Sequence, residues 1–187
     1  MYPLIRLTKE MLKYRKAPPL AIGETHVTHL ICWPWDIDIF MEMNNGRTLT
    51  LYDLGRIVLF QRMGFNDVVR REGWSGSILG ASVRYRRRVR AFDRIEMRSR
   101  IIGWDDRFSY AEQSMWRHGV CTSHVLLRMA TTDRNGIVPT ARIEEAMGGG
   151  LARPDLPAWA ASWIEADELR PWPPMQDANN LGDTAAA

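Results

Sequence analysis

The chain has 187 residues, of which 45% are hydrophobic and 25% are charged, and its formal net charge is +3 at pH 7. A chain of this length and composition can bury one domain core without a metal or a disulfide framework. It has no apolar stretch of the roughly 18 to 20 residues that cross a bilayer, and no signal-peptide pattern at its N-terminus. It is therefore expected to be cytoplasmic.

The cysteines and histidines do not predict a metal site. Cys32 and Cys121 lie far apart, outside any CxxC or Cys/His spacing, and are interpreted as thiols of the core. The histidines also lack the spacing of metal ligands; they are His26, His29, His118 and His124. We expect neither a metal nor a cofactor.

Charge is distributed unevenly along the chain. Arginines crowd residues 84–94, whereas acids dominate residues 155–168. This asymmetry indicates an anionic partner, and coenzyme A, an acyl-carrier protein, nucleic acid or an anionic lipid surface all satisfy it. Nucleic acid fits least well, because the basic segment lacks interleaved aromatic residues and contains no recognition motif.

Residues 1–20 are predicted to form a basic N-terminal arm. Leu4, Leu7 and Met11 recur at helical spacing among lysines and arginines, and Pro18-Pro19 ends any helix. Such a helix either contacts a membrane surface through residues 1–17 or packs on its own domain or a neighbouring subunit. Base rates for short helices favour the second interpretation.

A short run after the first predicted strand carries the candidate chemistry. Polar and apolar residues alternate over residues 25–33, and the next residues place Asp36 and Asp38 before a helix that Asn44 or Asn45 can cap. A carboxylate beside the positive end of a helix can act as base or nucleophile, while free backbone N–H groups polarise a carbonyl. This arrangement suits acyl transfer.

The predicted helix runs from this cap to Gly64. Its apolar stripe consists of Leu51, Leu54, Ile57, Val58 and Phe60. Gly55 in mid-helix costs about 1 kcal/mol against alanine, which a close approach of another backbone would explain.

Beyond this helix, residues alternate mainly with period two. A turn of helix at 66–71 is followed by strands near 77–88, 94–104, 108–117 and 120–131, and then by a turn at 133–136. One strand, one long helix and an antiparallel meander predict an α+β domain with the helix across a curved sheet.

The remaining residues are predicted to extend this domain. The domain covers residues 21–147 and ends with a short helix near 141–147. Residues 148–187 form a C-terminal extension with one further helix near 158–169, and the end, 171–187, is expected to be mobile.

The motif run resembles a known family. Asp36-x-Asp38, then Asn44-Asn45-Gly46-Arg47, then Tyr52-Asp53-x-x-Arg56 resemble the signature and helix of hotdog-fold acyl-CoA thioesterases of the hydroxybenzoyl-coenzyme A type. The resemblance continues through Val83-Arg84-Tyr85 and Asp93 and covers roughly residues 25–138. It implies a hotdog fold and hydrolysis of an acyl-CoA or acyl-carrier thioester without a cofactor.

Two positions depart from the family pattern. Met41-Glu42 stands where the family usually has Gly-His, and Thr48 replaces its usual tyrosine on the first helical turn. These changes motivate an alternative, a non-catalytic acyl- or lipid-binding hotdog protein. A hydratase or dehydratase on the same fold fits less well, because such enzymes usually use a histidine that this loop lacks.

By the resemblance, Asp38 is the catalytic residue. Its carboxylate would attack the thioester directly or deprotonate a water, whereas the simpler alternative is a cap of a turn or helix. Asn44 and Asn45 are interpreted as caps. The backbone N–H groups near Gly46, Arg47 and Thr48 are the expected oxyanion donors.

Two further acids are supporting candidates. Glu42 is either a supporting base or a solvent-facing side chain. Asp53 stands three residues before Arg56 on the helix, so the two are expected to form a surface pair. Because some hotdog enzymes carry the catalytic acid on the helix, Asp53 is also the fallback candidate.

The arginine segment is the candidate for binding phosphates of coenzyme A. In a regular strand Arg84, Arg86, Arg88 and Arg90 would share one face. Guanidinium groups suit phosphates, and a simply solvated face explains the pattern equally well. The family also implies a homodimer or homotetramer in which two sheets join edge to edge and the pocket lies between subunits.

Overall fold

The computed structural model describes residues 2–174 and divides the chain into two compact units, Met1–Asp155 and a second beginning at Leu156. The helices are α1 (Leu4–Lys13), α2 (Asn45–Arg62), α3 (Phe65–Glu72), α4 (Thr140–Ala146) and α5 (Ala158–Glu168). The strands are β1 (His26–Ile31), β2 (Ser75–Tyr85), β3 (Arg94–Trp104), β4 (Ser109–Arg117), β5 (Val120–Asp133) and β6 (Gly136–Ile137). Among the described helices, none has the length and apolar content needed to cross a membrane.

The strands form one antiparallel sheet in the order β1-β3-β4-β5-β2, and β6 pairs with β5. The sheet curls around α2, which contacts β3 and β1. This arrangement confirms the predicted α+β hotdog fold. It leaves β1 and β2 as the two edges of the main sheet.

The buried side of α2 forms the centre of the core. Leu51, Leu54 and Val58 are fully buried, whereas Ile57 and Phe60 of the same predicted stripe are only half-buried. The stripe is therefore narrower than predicted. The half-buried pair instead faces a cavity described below.

Gly55 is required by side chains of β3 rather than by a neighbouring backbone, which corrects the predicted reason for this glycine. A β-carbon built on Gly55 would lie 2.5 Å from Met97 Sδ and 2.8 Å from Ser99 Oγ. Both distances are shorter than van der Waals contact. The absence of a side chain here lets α2 pack closely on the sheet.

Strand β2 ends earlier than the alternation predicts, at Tyr85 rather than near residue 88. The backbone N–H groups of Arg86 and Arg87 both donate to the carbonyl oxygen of Thr122, at 2.8 and 3.1 Å. Two residues thus oppose one on the neighbouring strand, which is the pattern of a β-bulge and interrupts the alternation of side chains.

The N-terminal arm packs against its own domain, which is part of the second of the two interpretations given above. Glu10 is buried and accepts a 2.5 Å hydrogen bond from the Thr28 hydroxyl of β1, and Gln61 of α2 donates to the carbonyl of Met11 at 3.1 Å. The opposite side of α1 is open to solvent. It exposes Leu4, Ile5 and Leu12 together with Lys9 and Lys13.

Both cysteines are free. Cys32 is fully buried, and burial, with the nearby Asp36 and Asp93 carboxylates, raises the pKa of its thiol to about 11. Cys121 is half-buried. Of the tail predicted to be mobile, residues 175–187 lie outside the described residues.

Candidate active site

Asn44 caps the start of α2. Its side-chain oxygen accepts the backbone N–H of Arg47 at 3.0 Å, and its carbonyl accepts the backbone N–H of Thr48 at 2.8 Å. Asn45 is already the first helical residue. Of the two asparagines that the sequence left open, the cap is therefore Asn44.

Because of this cap, two of the backbone N–H groups that were expected to bind an oxyanion are not available. The N–H groups of Arg47 and Thr48 are both occupied by Asn44 oxygens. Within residues 2–174, by contrast, the N–H groups of Asn45 and Gly46 have no acceptor. Both belong to the first turn, where helix N–H groups lack intrahelical partners, so they can bind a carbonyl oxygen.

Asp38 opens a tight loop that leads to this helix start. Its backbone N–H donates to the Glu42 carbonyl at 2.9 Å, and its Oδ1 accepts the backbone N–H of Phe40 at 2.8 Å. Ile37 and Met43 form a single antiparallel bridge that closes the loop. In the part of the chain that the structure describes, no group hydrogen-bonds to Oδ2, so one carboxylate oxygen of Asp38 is available for chemistry.

Asp36 has a different environment from Asp38. It is buried, with 1% of its surface exposed, and accepts hydrogen bonds from the Arg6 guanidinium at 2.8 Å and the Trp33 backbone at 3.0 Å. Its other oxygen lies 3.2 Å from Arg47 Nε, an ion pair without the angle of a hydrogen bond. Asp36 therefore holds the arm, the end of β1 and the helix start together.

A pocket of about 230 Å³ lies beside the helix start. The bulge that ends β2 directs the arginine segment toward it, and its walls include Arg86, Arg87 and Arg88 together with Asn45 and Thr48. Three arginines and the first turn of α2 thus line the same pocket. This is an electropositive pocket suited to a phosphorylated ligand.

Of the four arginines predicted to bind phosphates, Arg86 and Arg88 line this pocket. Arg84 and Arg90 do not line this pocket, and the backbone N–H of Arg90 instead binds the Asp93 carboxylate at 2.7 Å. Arg87, which strict alternation places on the opposite face, does line it. The reason is the bulge, which breaks the period of two after Tyr85.

Glu42 also lines the pocket, and its carboxylate lies 3.0 Å from Arg88 Nε. It is thus paired rather than simply directed into solvent. Ser123 lines the pocket as well, and its hydroxyl lies 2.8 Å from the buried Tyr52 hydroxyl behind it. Burial raises the pKa of the Tyr52 hydroxyl, which stays protonated.

Asp53 lies away from the helix start and is not part of an exposed surface pair. Its carboxylate pairs with Arg56, which is 8% exposed and also donates to Gln113 Oε1 at 3.2 Å. Gln113 in turn donates to Ser99 Oγ at 2.7 Å. The predicted pair of Asp53 and Arg56 therefore forms, but it is not exposed at the surface, because Arg56 points into the domain and Asp53 lines an apolar cavity.

Sequence reasoning missed three residues of these networks. Gln113 carried a signal, since it is polar at an inward position of β4 between Ala111 and Met115. For Arg87, regular alternation predicts the opposite face of the strand. No pattern in the sequence connects Arg6 with Asp36. Within the described residues, no cluster of histidine, cysteine or acidic side chains could hold a metal ion.

Comparison with known proteins places this geometry in a family. A model described as "Thioesterase-like superfamily" matches residues 32–164. Protein THEM6 from Xenopus laevis is 37% identical over 168 residues, which cover 88% of this chain and 79% of that protein.

Solved structures share the fold at low sequence identity. The probable thioesterase YbaW from Escherichia coli has a TM-score of 0.60 and 14% identity, covering 67% of this chain and 98% of its own. The gentisyl-coenzyme A thioesterase BH1999 has a TM-score of 0.56 and 14% identity, covering 61% of this chain and 94% of its own. The family match and these structures together show that the chain belongs to the thioesterase-like superfamily of hotdog-fold proteins.

Proposed function

We propose that this protein hydrolyses the thioester of an acyl-CoA or an acyl-carrier protein, with Asp38 as the catalytic residue. One observation carries the proposal: within residues 2–174, one carboxylate oxygen of Asp38 has no hydrogen-bond donor, and Asp38 lies in the loop that leads directly to the Asn45 and Gly46 N–H groups, which have no acceptor there. Membership of a thioesterase-like superfamily supports thioester chemistry in general.

In the proposed reaction, the thioester carbonyl oxygen binds the N–H groups of Asn45 and Gly46. Each such donor can contribute roughly 2.7 to 4 kcal/mol to transition-state stabilisation. Asp38 then attacks the carbonyl carbon, and collapse of the tetrahedral intermediate breaks the C–S bond, releases the thiolate and leaves a mixed anhydride that water hydrolyses. In the alternative route, Asp38 takes the proton of a water that attacks the same carbon.

The pocket beside the helix start would bind the anionic end of the substrate. Arg86 and Arg87 supply guanidinium groups, while Arg88 is already paired with Glu42. Phosphates of coenzyme A or of a phosphopantetheine arm fit this chemistry. BH1999, which shares the fold, is a gentisyl-coenzyme A thioesterase, and its coenzyme A substrate favours coenzyme A here over a carrier protein.

The test of the catalytic assignment is thiol release from a panel of acyl-CoAs by the wild type and by Asp38→Asn. We expect the variant to lose about a hundredfold or more in kcat/KM. Asp67→Asn, at an exposed position of α3, is the control and should keep full activity. Unchanged turnover in Asp38→Asn would reject the role of Asp38, and loss in Asp53→Asn alone would transfer it to the helix acid.

Single turnover in ¹⁸O-labelled water tests for direct attack by Asp38. If water cleaves the anhydride at the Asp38 carbonyl, an unlabelled enzyme oxygen passes into the first carboxylic acid released. If Asp38 acts as a base, or if water attacks the acyl carbon of the anhydride, that product carries the label, so an unlabelled first product is the result that identifies direct attack by Asp38. Tight binding of acyl-CoA without release of thiol would instead support the alternative, a non-catalytic acyl-binding protein.

We also propose a homodimer, or a tetramer built from it, that joins the β2 edges of two chains. In the described residues β2 pairs with β5 alone, and Ile78 and Leu79 on it are 44% and 50% exposed. An exposed apolar edge strand is a template for pairing with a second chain. Light scattering should give a mass that is a multiple of the chain mass for the wild type and a smaller mass for Leu79→Lys. If the two proteins have the same mass, the β2 edge is not the contact between chains.

Contact of α1 with a membrane stays a prediction, as does the cytoplasmic location. The only acid of residues 1–17, Glu10, is buried, so the solvent side of α1 combines Ile5 and Leu12 with cations alone. Such a surface suits an anionic bilayer. Vesicles containing phosphatidylserine should retain the wild type and release Ile5→Glu, and equal retention of both would reject contact through this helix.

A further inference from the structure

A second, larger cavity lies inside the first unit of the chain, away from Asp38. It has a volume of about 300 Å³ and lies between α2, the β2 and β5 strands and α4. Its walls are mostly large apolar side chains, among them Ile57 and Phe60 of α2, Met129 of β5, and Ile143 of α4. Nothing in the chemistry described above uses this space.

The size of the cavity argues against a packing defect. The cavity is open to solvent on one side, and an enclosed apolar cavity of about 150 Å³ already binds a benzene ring. The cavity here is about twice that volume. Phe60, Met63 and Ile143 around it are only half-buried, so these side chains lack contacts that an apolar occupant would supply.

The polar groups at the wall do not select a charged ligand. The Asp53 carboxylate and the Arg56 guanidinium are paired with each other, and Arg56 also binds Gln113. The Glu144 carboxylate accepts a hydrogen bond from the indole N–H of Trp104. Because these groups already have partners, the recognition that remains is that of a neutral apolar group.

The wall formed by α4 is fixed in place. Thr140 at the start of α4 donates through its hydroxyl to the Asp105 carbonyl at 2.5 Å and through its backbone N–H to the Asp106 carbonyl at 3.1 Å. With the bond between Trp104 and Glu144, these contacts attach α4 to β3 and to the turn that follows it. Leu151, beyond the helix, also lines the cavity, so residues after the main sheet form part of its wall.

Helix α2 relates this cavity to the proposed site of hydrolysis. Gly46 and Asp53 are seven residues apart, which is about 10 Å along the axis at a rise of 1.5 Å per residue. Both the cavity and the pocket at the helix start are lined by α2, β2 and β5 residues or by the segments that follow them. A thioester bound at Gly46 must therefore extend well beyond its carbonyl to reach the cavity.

We propose that this cavity binds the distal apolar part of a long acyl group, and that α4 and Leu151 set the length of chain it accepts. The inference rests on the proposed function only in taking the ligand to be the acyl part of the substrate. An acetyl group is too short to reach the cavity. Long unbranched acyl groups are thus expected to gain binding energy that short ones do not.

The test uses a long-chain fatty acid with an environment-sensitive fluorophore, which reports binding without any reaction. Wild type and Asp38→Asn should bind the probe equally. Ile57→Trp fills the cavity and should weaken binding about tenfold or more. Met11→Trp is the matched control, because Met11 is a half-buried apolar residue on α1 that does not line the cavity, and it should bind like the wild type.

Met147→Trp, which enters the cavity from the segment after α4, should have the same effect without altering the core helix. In the hydrolysis assay, both tryptophan variants should lose activity toward palmitoyl-CoA and keep it toward acetyl-CoA. Probe binding that is absent in the wild type, or unaffected in both cavity variants, would overturn the inference. Probe binding that follows this pattern in a protein that releases no thiol would support the cavity and reject the hydrolase.

Discussion

Arg6 and Asp36, thirty residues apart in the chain, are joined by a 2.8 Å hydrogen-bonded ion pair that attaches the N-terminal arm to the loop before α2. Arg6 also donates to the Ile31 carbonyl at 2.9 Å, so one guanidinium holds both the end of β1 and a buried carboxylate. The arm is thereby a structural part of the candidate active site.

We expect Arg6→Ala to lower the free energy of unfolding by about 1 to 3 kcal/mol, because it leaves the buried Asp36 carboxylate with less compensation. Arg6→Lys should recover part of the loss, since it keeps the charge but not both hydrogen bonds. Urea denaturation measures the effect, and Lys9→Ala on the exposed side of α1 is the control. Equal stability of the two alanine variants would contradict this role.

Met41 adopts a glycine-like backbone conformation at the position where the family usually has glycine. Its φ is 61°, in the left-handed region that glycine adopts at little cost, and its side chain is 72% exposed. A left-handed residue with a β-carbon costs about 1 to 2 kcal/mol, against about 0.5 to 1 kcal/mol for the extra freedom of glycine in the unfolded chain. Met41→Gly should therefore leave stability unchanged or raise it by about 1 kcal/mol.

Ile39→Gly is the matched control for this loop. Ile39 is 89% exposed, and its φ is not in the left-handed region. It loses a side chain of similar exposure without relief of strain, so thermal unfolding should show a lower melting temperature for Ile39→Gly than for Met41→Gly. The reverse order would show that the backbone at Met41 is not strained.

Gly55→Ala should destabilise the protein although alanine is the better helix former. The new β-carbon would approach Met97 Sδ and Ser99 Oγ at 2.5 and 2.8 Å. Overpacking of this kind costs about 1 to 3 kcal/mol, which exceeds the gain of about 1 kcal/mol in helix propensity. Gly76→Ala, where a β-carbon meets no atom within 4 Å, should be close to neutral in the same denaturation experiment.

His26 should make stability fall in mild acid. It is fully buried, its Nδ1 accepts from Arg62 at 3.1 Å, and burial, with the nearby cations Arg62 and Lys13, lowers its pKa from 6.5 to about 4. The unfolded chain therefore binds a proton more readily than the folded one. His26 therefore contributes roughly 3 kcal/mol to the free energy of unfolding above pH 6.5, and this contribution is lost as the pH falls toward 4.

Unfolding free energies at about pH 7.5 and pH 4.5 test this sign, because the two values bracket the titration of an unperturbed histidine. His26→Gln should lose much of the difference between the two pH values. His29→Gln should keep it, since the His29 side chain is 68% exposed. A pH dependence that is the same in all three proteins would exclude His26 as its source.

The fold was predictable because each element carries a simple periodic pattern. Alternation identified β3, β4 and β5, and the Asn44 cap and Gly64 bounded α2. The errors arise where a tertiary contact overrides local pattern. The shared carbonyl of Thr122 ends β2 at Tyr85, and no local feature of the arginine segment encodes that contact.

The candidate site was predictable to the same extent. The position of Asp38 before a capped helix follows from the spacing of the motif, but the occupied amides of Arg47 and Thr48 follow from which asparagine is the cap. The burial of Arg56 depends on Gln113, fifty-seven residues away. Such partners come together only when the sheet has curled around α2.

The attachment of β1 and α1 also defines what a minimal version of this protein must contain. The family match begins at residue 32, after both elements. A protein shortened to that boundary would lose the strand that pairs with β3 from His26 to Ile31 and one of the two arginines around Asp36. The boundary suggested by family resemblance is therefore not a folding boundary, and a shortened protein should retain the chain from α1 onward.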